Sequence, residues 1–256
     1  MIDKKIAALV EDADFVHRFF GGVECITGPV LNIPASTGIM GSDILENERP
    51  PHTVTLASFA IAKYPVTVKE YALFLHATQH PAPPTFGGLH WSDQQRHPKH
   101  PVVNVSWYDA TTYATWLAQL TGQRWRLPTE AEWERAARGT DGHTFPWGNT
   151  FAINRCNTAE SGNNGPTDVG KYVRLHDASF YKVHDLAGNV WEWTSSLSKP
   201  YSDEAHTQSV AANEPGQRIR RGGSWIEDYT FATTTRRLAS NPEISHPTYG
   251  FRLAIG

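Results

Sequence analysis

Arg220-Arg221-Gly222-Gly223-Ser224-Trp225 constrains this chain more than any other stretch. Two adjacent glycines between arginines and a Ser-Trp pair require a tight backbone approach beside an aromatic anchor. About two dozen polar and small residues then precede Tyr249-Gly250-Phe251-Arg252-Leu253. That interval holds Pro242 and Pro247, many Thr, Ser and Asn, and little apolar periodicity. It reads as an irregular segment held at both ends, the kind of place where a scaffold displays function.

The totals bound the partner. A net charge of −3 argues against nucleic acid or an anionic membrane surface. The 29 aromatic residues stand beside 20 Gly and 17 Pro, which predicts many short elements and turns rather than a helical bundle. The two cysteines, Cys25 and Cys156, do not make a disulfide framework and read as buried thiols in a reducing compartment. The N-terminus carries no apolar run suited to a signal peptide, and no stretch reaches transmembrane length, so a cytoplasmic protein is expected.

Apolar residues Ile6, Leu9, Val10, Phe15 and Phe19 predict a leading helix over 3–20, within an N-terminal helical extension of residues 1–28. Residues 38–42 and 52–56 read as two strands joined by an acidic turn, and residues 59–62 as a continuation of that sheet. Three helices follow. Thr67 caps the first, Ser106 and Asp109 form a capping box for a helix over 107–120, and Thr129 and Glu132 form another for 130–138. His90, His97 and His100 lie at irregular spacing and read as part of a solvated loop rather than a metal cluster. The charges of the third helix (Arg126, Glu130, Glu132, Glu134, Arg135 and Arg138) read as salt-bridged structure rather than catalytic groups. Beyond Gly139 the chain is loop-rich up to 183–194, an apolar strand-like unit with a polar interruption. No linker divides two cores, so residues 29–256 are expected to form one domain.

Eight blocks in series resemble the formylglycine-generating-enzyme/sulfatase-modifying-factor family. They are Met40-Gly41-Ser42, Tyr64-Pro65-Val66-Thr67, residues 101–107, residues 126–134, Pro146-Trp147-Gly148, Gly188-Asn189-Val190-Trp191-Glu192-Trp193, Arg221-Gly222-Gly223-Ser224-Trp225 and Gly250-Phe251-Arg252. The resemblance implies a single α+β domain of the C-type-lectin-like, sulfatase-modifying-factor fold, with short strands, about three helices and much irregular loop. The C-terminal stretch also resembles the variable region of retroelement-diversified proteins that use this lectin-like fold to display a binding surface. In catalytic members the Arg-Gly-Gly-Ser-Trp block is followed by two cysteines that hold copper(I) and oxidise a substrate cysteine to formylglycine. The matching positions here are Glu227 and Ala232. A carboxylate and a methyl group do not replace two thiolates for a soft ion, so copper and formylglycine generation are not expected.

The resemblance further implies calcium at Asn189, Val190 and Glu192, through an amide, a carbonyl and a carboxylate. The alternative is that these residues cap a buried turn. A second, weaker calcium set is Asn157, Glu160 and Asp168. Glu227 stands at the floor of the family's groove, where a desolvated carboxylate can act as a general base. The leading expectation is a non-catalytic module that binds a protein or peptide. Its recognition surface is residues 226–249, including Ile226, Asp228, Tyr229, Phe231, Thr233, Thr234, Asn241, His246 and Tyr249, which mix aromatic anchors with adaptable polar groups. The alternative is an enzyme with altered oxidase or tailoring chemistry in the same groove.

Overall fold

The computed structural model describes residues 16–20, 22–201 and 204–256. β1 (Val16–Phe20) pairs antiparallel with β2 (Val23–Thr27), with Gly22 at φ 87° just before β2. The helix expected over 3–20 is therefore corrected over its last five residues, and residues 1–15 lie outside the described residues. The aromatic and β-branched side chains of 16–20 and 23–27 suit a pleated surface, and adjacent glycines favour a tight hairpin.

β3 (Val30–Ile33), β4 (Ser36–Met40), β5 (His52–Leu56) and β6 (Phe59–Ala62) follow. β4 and β5 form a separate ribbon. β6 does not continue it, as the sequence suggested. The chain turns at Ala57-Ser58, and β6 pairs instead with β3 and with β12 (Ala254–Ile255) at the end of the chain.

Four α-helices lie among the described residues, and α1 (Val68–Thr78), α3 (Trp107–Thr121) and α4 (Glu130–Arg138) each begin with a reciprocal capping box built on a Thr or Ser hydroxyl. In each, the Thr or Ser hydroxyl accepts the N3 amide while the N3 carboxylate accepts the cap amide, as when Ser106 N donates to Asp109 at 2.9 Å. Each satisfies two otherwise orphaned amides, worth about 1 kcal/mol. Gly122 ends α3 in the left-handed region at φ 71°. The fourth helix, α2 (Trp91–Gln94), is one turn inside the stretch read as solvated loop.

The remaining strands are β7 (Trp125–Arg126), β8 (Trp191–Leu197), β9 (Arg218–Arg221), β10 (Arg237–Ser240) and β11 (Tyr249–Phe251), along with β12. They give two four-stranded sheets, ordered β10-β9-β8-β11 and β3-β6-β12-β7. One core cluster packs Tyr71 and Phe74 of α1 and Trp107 and Tyr113 of α3 against Trp193 and Phe251. Another packs Ala131, Trp133, Ala136 and Ala137 of α4 against Met40, Ile61 and Leu186.

All nine residues of α4 are buried, charged ones included. The charges are matched inside the protein. Glu130 takes both nitrogens of a bidentate Arg237 at 2.7 Å. Glu134 accepts Arg138 at 2.9 Å, the Gly41 amide at 2.8 Å, and the Arg221 guanidinium. Glu132 pairs bidentately with Arg126 at 2.6 Å. The salt-bridged reading of α4 holds, but its bridges lie in the core rather than on a solvated face. In the neighbouring sheet Glu192 pairs with Arg252 at 2.6 and 2.7 Å. Arg252 also donates to the carbonyls of His184 and Asp185.

Two tests follow from this packing. Glu134→Ala leaves Arg221 short of a buried carboxylate, so stability should fall by about 3–5 kcal/mol, the usual loss for breaking a buried pair. A urea midpoint that moves by the equivalent of about 1 kcal/mol or less, the range of surface pairs, would contradict the cage. Burial, with Asp177 nearby, pushes the Asp185 carboxyl up to about 7. The unfolded chain ionises this group near pH 4 and the folded chain near pH 7, so its contribution is full below pH 4 and is lost as pH rises to 7. Urea unfolding at a series of pH values should show a downward slope in that window that Asp185→Asn flattens.

Candidate functional site

The site is built on the exits of β8, β9 and β11. Alternation along β9 sends Arg221 toward α4 and Arg220 toward the opposite face. After β9, Gly222 and Gly223 adopt φ 100° and 73°. A Cβ on Gly223 would sit 2.7 Å from the Phe231 carbonyl, so only glycine lets the chain fold back on itself here. The following segment is fixed through its backbone. Trp225 N donates to Asn189 O at 3.2 Å, and Ala159 N donates to Glu227 O at 2.9 Å. Tyr229 N donates to Glu160 at 3.0 Å. Asp228 caps a short 3-10 turn over Tyr229–Phe231.

Glu227 is half-buried at the centre. Its carboxylate accepts the Trp191 indole N–H at 3.0 Å and the Ser224 hydroxyl. Beside it lies Arg220, whose guanidinium stacks 3.7 Å from the Tyr249 ring centre and donates to Ser240. Burial pushes Arg220 down to about 10, partly offset by Tyr249 and Glu227. His246 also falls below its usual range, chiefly by burial and then by Arg220, against the pull of Glu227. Its Nδ1 lies 2.8 Å from the Thr248 hydroxyl. Arg220 and Trp191 escaped the sequence reading. The period-2 alternation of Arg220-Arg221 was the available signal, since only one of the two can face α4.

Around this polar floor the expected surface is mostly present. Ile226 is 55% exposed and Tyr229 43%, while Asp228 and Asn241 are exposed. Phe231, Thr233, His246 and Tyr249 are half-buried. Thr234 is a correction. It is fully buried, donating its hydroxyl to the His143 carbonyl at 2.6 Å and its amide to Thr144, so it touches no ligand. Tyr229 stacks on Phe151 at 4.7 Å, and Phe145 stacks on Trp147 at 5.5 Å, forming an aromatic ledge beside the segment.

Ala232, at the second cysteine position, is fully buried against Cys156 and Ala187. Cys156, remote in sequence, is thus brought next to this position. Burial pushes its thiol up to about 12.

Among the residues expected to hold calcium, Asn189, Glu192 and Asn157 have their side-chain oxygens engaged. Both Glu192 oxygens meet Arg252, and one also accepts Trp133 Nε1 at 2.8 Å. The Asn189 side-chain oxygen accepts Asn157 Nδ2 at 3.0 Å and Thr167 N at 2.9 Å. The Asn157 oxygen accepts Ser161 and Asn163, both at 2.9 Å. Glu160 serves Tyr229, and Asp168 lies 3.5 Å from His100. The side-chain oxygens of Asn189, Glu192 and Asn157 are thus spent on N–H and O–H donors, while the Asp168 carboxylate stays largely exposed. Asn189 and Glu192 hold a buried turn, the alternative left open by the sequence. Among the described residues no helix is long and apolar enough to cross a membrane.

A model of the sulfatase-modifying factor enzyme 1-like domain matches residues 27–256. Inactive C-alpha-formylglycine-generating enzyme 2 of Mus musculus is 29% identical, over 88% of this chain and 85% of its own length. PvdO from Pseudomonas aeruginosa aligns with a TM-score of 0.76 and 27% identity, over 94% of this chain and 97% of its own. Treponema denticola variable protein 1 shares the fold at a TM-score of 0.71 and 22% identity, over 94% and 98%. The mixed α+β, lectin-like architecture expected from the motif series is the one found.

Proposed function

The chain belongs to the sulfatase-modifying factor enzyme 1-like family, and on that footing we propose that it is a binding module presenting residues 226–249 to a protein or peptide. One observation carries the reading. The backbone of 224–232 is held by Asn189, Ala159 and Glu160, while the side chains of Ile226, Asp228 and Tyr229 stay in solvent. A fixed backbone with solvent-facing aromatic and polar side chains, Tyr229 braced on Phe151 and Asp228 on Thr230, loses little entropy on capture. The family's copper chemistry is not part of this reading, because Glu227 and Ala232 stand where the resemblance places the two cysteines. The relative named as inactive is consistent with a family scaffold used without that reaction.

A second reading rests on Glu227, Arg220 and His246, which gather under the same face. A carboxylate beside an imidazole and a guanidinium can move a proton at a bound substrate, as an altered tailoring enzyme would need.

Panning a displayed random-peptide library on the purified chain separates the two. The binding reading expects enriched peptides whose affinity falls about tenfold or more with Ile226→Ala or Tyr229→Ala, the scale of an interface anchor. Thermal unfolding should be unchanged in both variants, and Ile44→Ala, exposed elsewhere, should bind normally. Peptides that bind both variants as well as the parent chain would overturn this surface. Peptides chemically altered by the parent chain but not by Glu227→Gln would establish the enzyme instead.

A further inference from the structure

A separate cavity of about 430 Å³ opens between the turn after α2 and the loop 163–166. Its volume is that of a small-molecule site. One wall is set by Gln94, whose buried amide bridges the Val103 amide and carbonyl at 3.0 and 3.1 Å. The facing loop is pinned by Asn157, which donates to the Gly165 carbonyl at 2.9 Å. Neither wall depends on an occupant.

Val68, Leu89 and Val103 give the cavity an apolar side, and Arg96, His97 and His100 give it a polar one. The imidazoles of His97 and His100 stack at 4.5 Å with 16° between their planes, forming a flat donor-bearing platform. The other polar side chains are already engaged. Gln94 is spent on Val103, and the Asn163 amide bonds Asn157 and Tyr172 while its oxygen accepts Lys171. Asp93 serves the His90 amide and Arg96. Arg96 meets Asp93, and His100 lies 3.5 Å from Asp168. A guanidinium carries several N–H donors, so donors remain for a ligand. Lys171 adds positive charge near His100, beside the opposite charge of Asp168. An anion suits that edge, and a flat apolar body suits the platform and the valine and leucine side.

We propose that this cavity binds a small planar organic anion of the aromatic carboxylate class, its ring along the apolar wall and its carboxylate toward Arg96, His97 and His100. The site is distinct from the 226–249 face, and neither reading rests on the other.

Benzoate, with benzamide as its neutral isostere, tests the assignment. Titrating benzoate into the purified chain should shift the imidazole proton resonances of His97 and His100 and leave those of the exposed His176 in place. Benzamide, and benzoate with the Arg96→Ala variant, should each bind about tenfold or more weakly, the loss expected of one charge-assisted contact. Arg96 is exposed, so that variant keeps its fold. Tyr229→Ala should bind benzoate as the parent chain does. Absence of shifts at tens of millimolar benzoate, or equal binding of benzamide and benzoate, would overturn the proposal.

Discussion

Everything displayed on this molecule depends on carboxylates of α4 holding arginines out of water. Glu130 and Glu134 clamp Arg221 and Arg237, which belong to β9 and β10. Such pairs add little net stability over well-packed apolar residues, because desolvating both charges offsets most of their attraction. Their consequence is uniqueness. A bidentate Arg–carboxylate pair is satisfied in one geometry only, so the register of β9 against β8 and β10 is fixed where it leaves the core. Gly222 and Gly223 follow directly, and the direction of the 224–232 segment is set by the arginine one residue before them.

The parts of this design written in short sequence windows were legible. The capping boxes at Ser106 and Thr129 need only residues three apart, and each forms as the sequence implied. The irregular exposed segment was also legible, from prolines and missing periodicity. What escaped depends on partners far along the chain. The charges of α4 read as salt-bridged, but their partners Arg221 and Arg237 stand 87 and 107 residues from the carboxylates and no short window shows them. Thr234 looks like an adaptable contact until the His143 carbonyl takes its hydroxyl. Cys156 looks unrelated to the cysteine-pair positions until the loop carrying it folds beside Ala232. The strand over 16–20 failed for another reason: short apolar runs fit both helical and extended periods, and the glycines after it decide between them.

Asn189 and Glu192 show how one pattern serves two ends. An amide and a carboxylate three apart around a tight turn can gather a cation or gather the backbone. Here Asn189 sits at φ 66° and accepts two N–H groups, while Glu192 neutralises Arg252. Arg252 then draws the carbonyls of 184 and 185 onto the end of the same sheet. The guanidinium does the crosslinking that a divalent ion would otherwise do, and it does so with donors fixed in a plane.

The same economy bears on Glu227. Its carboxylate lies beneath the segment as an acceptor, and Trp191 and Ser224 both donate to it. Two donors hold the carboxylate in one rotamer, and its backbone carbonyl holds Ala159. Glu227 therefore ties the segment 224–232 to the strand below and the loop beside it. Ile226 and Asp228, its neighbours in sequence, are the residues that project outward. In a recognition surface this division is useful, since outward side chains can change without disturbing the residue that anchors them. The carboxylate at the position where the family resemblance expects a cysteine is thus the one that keeps the segment in a single shape.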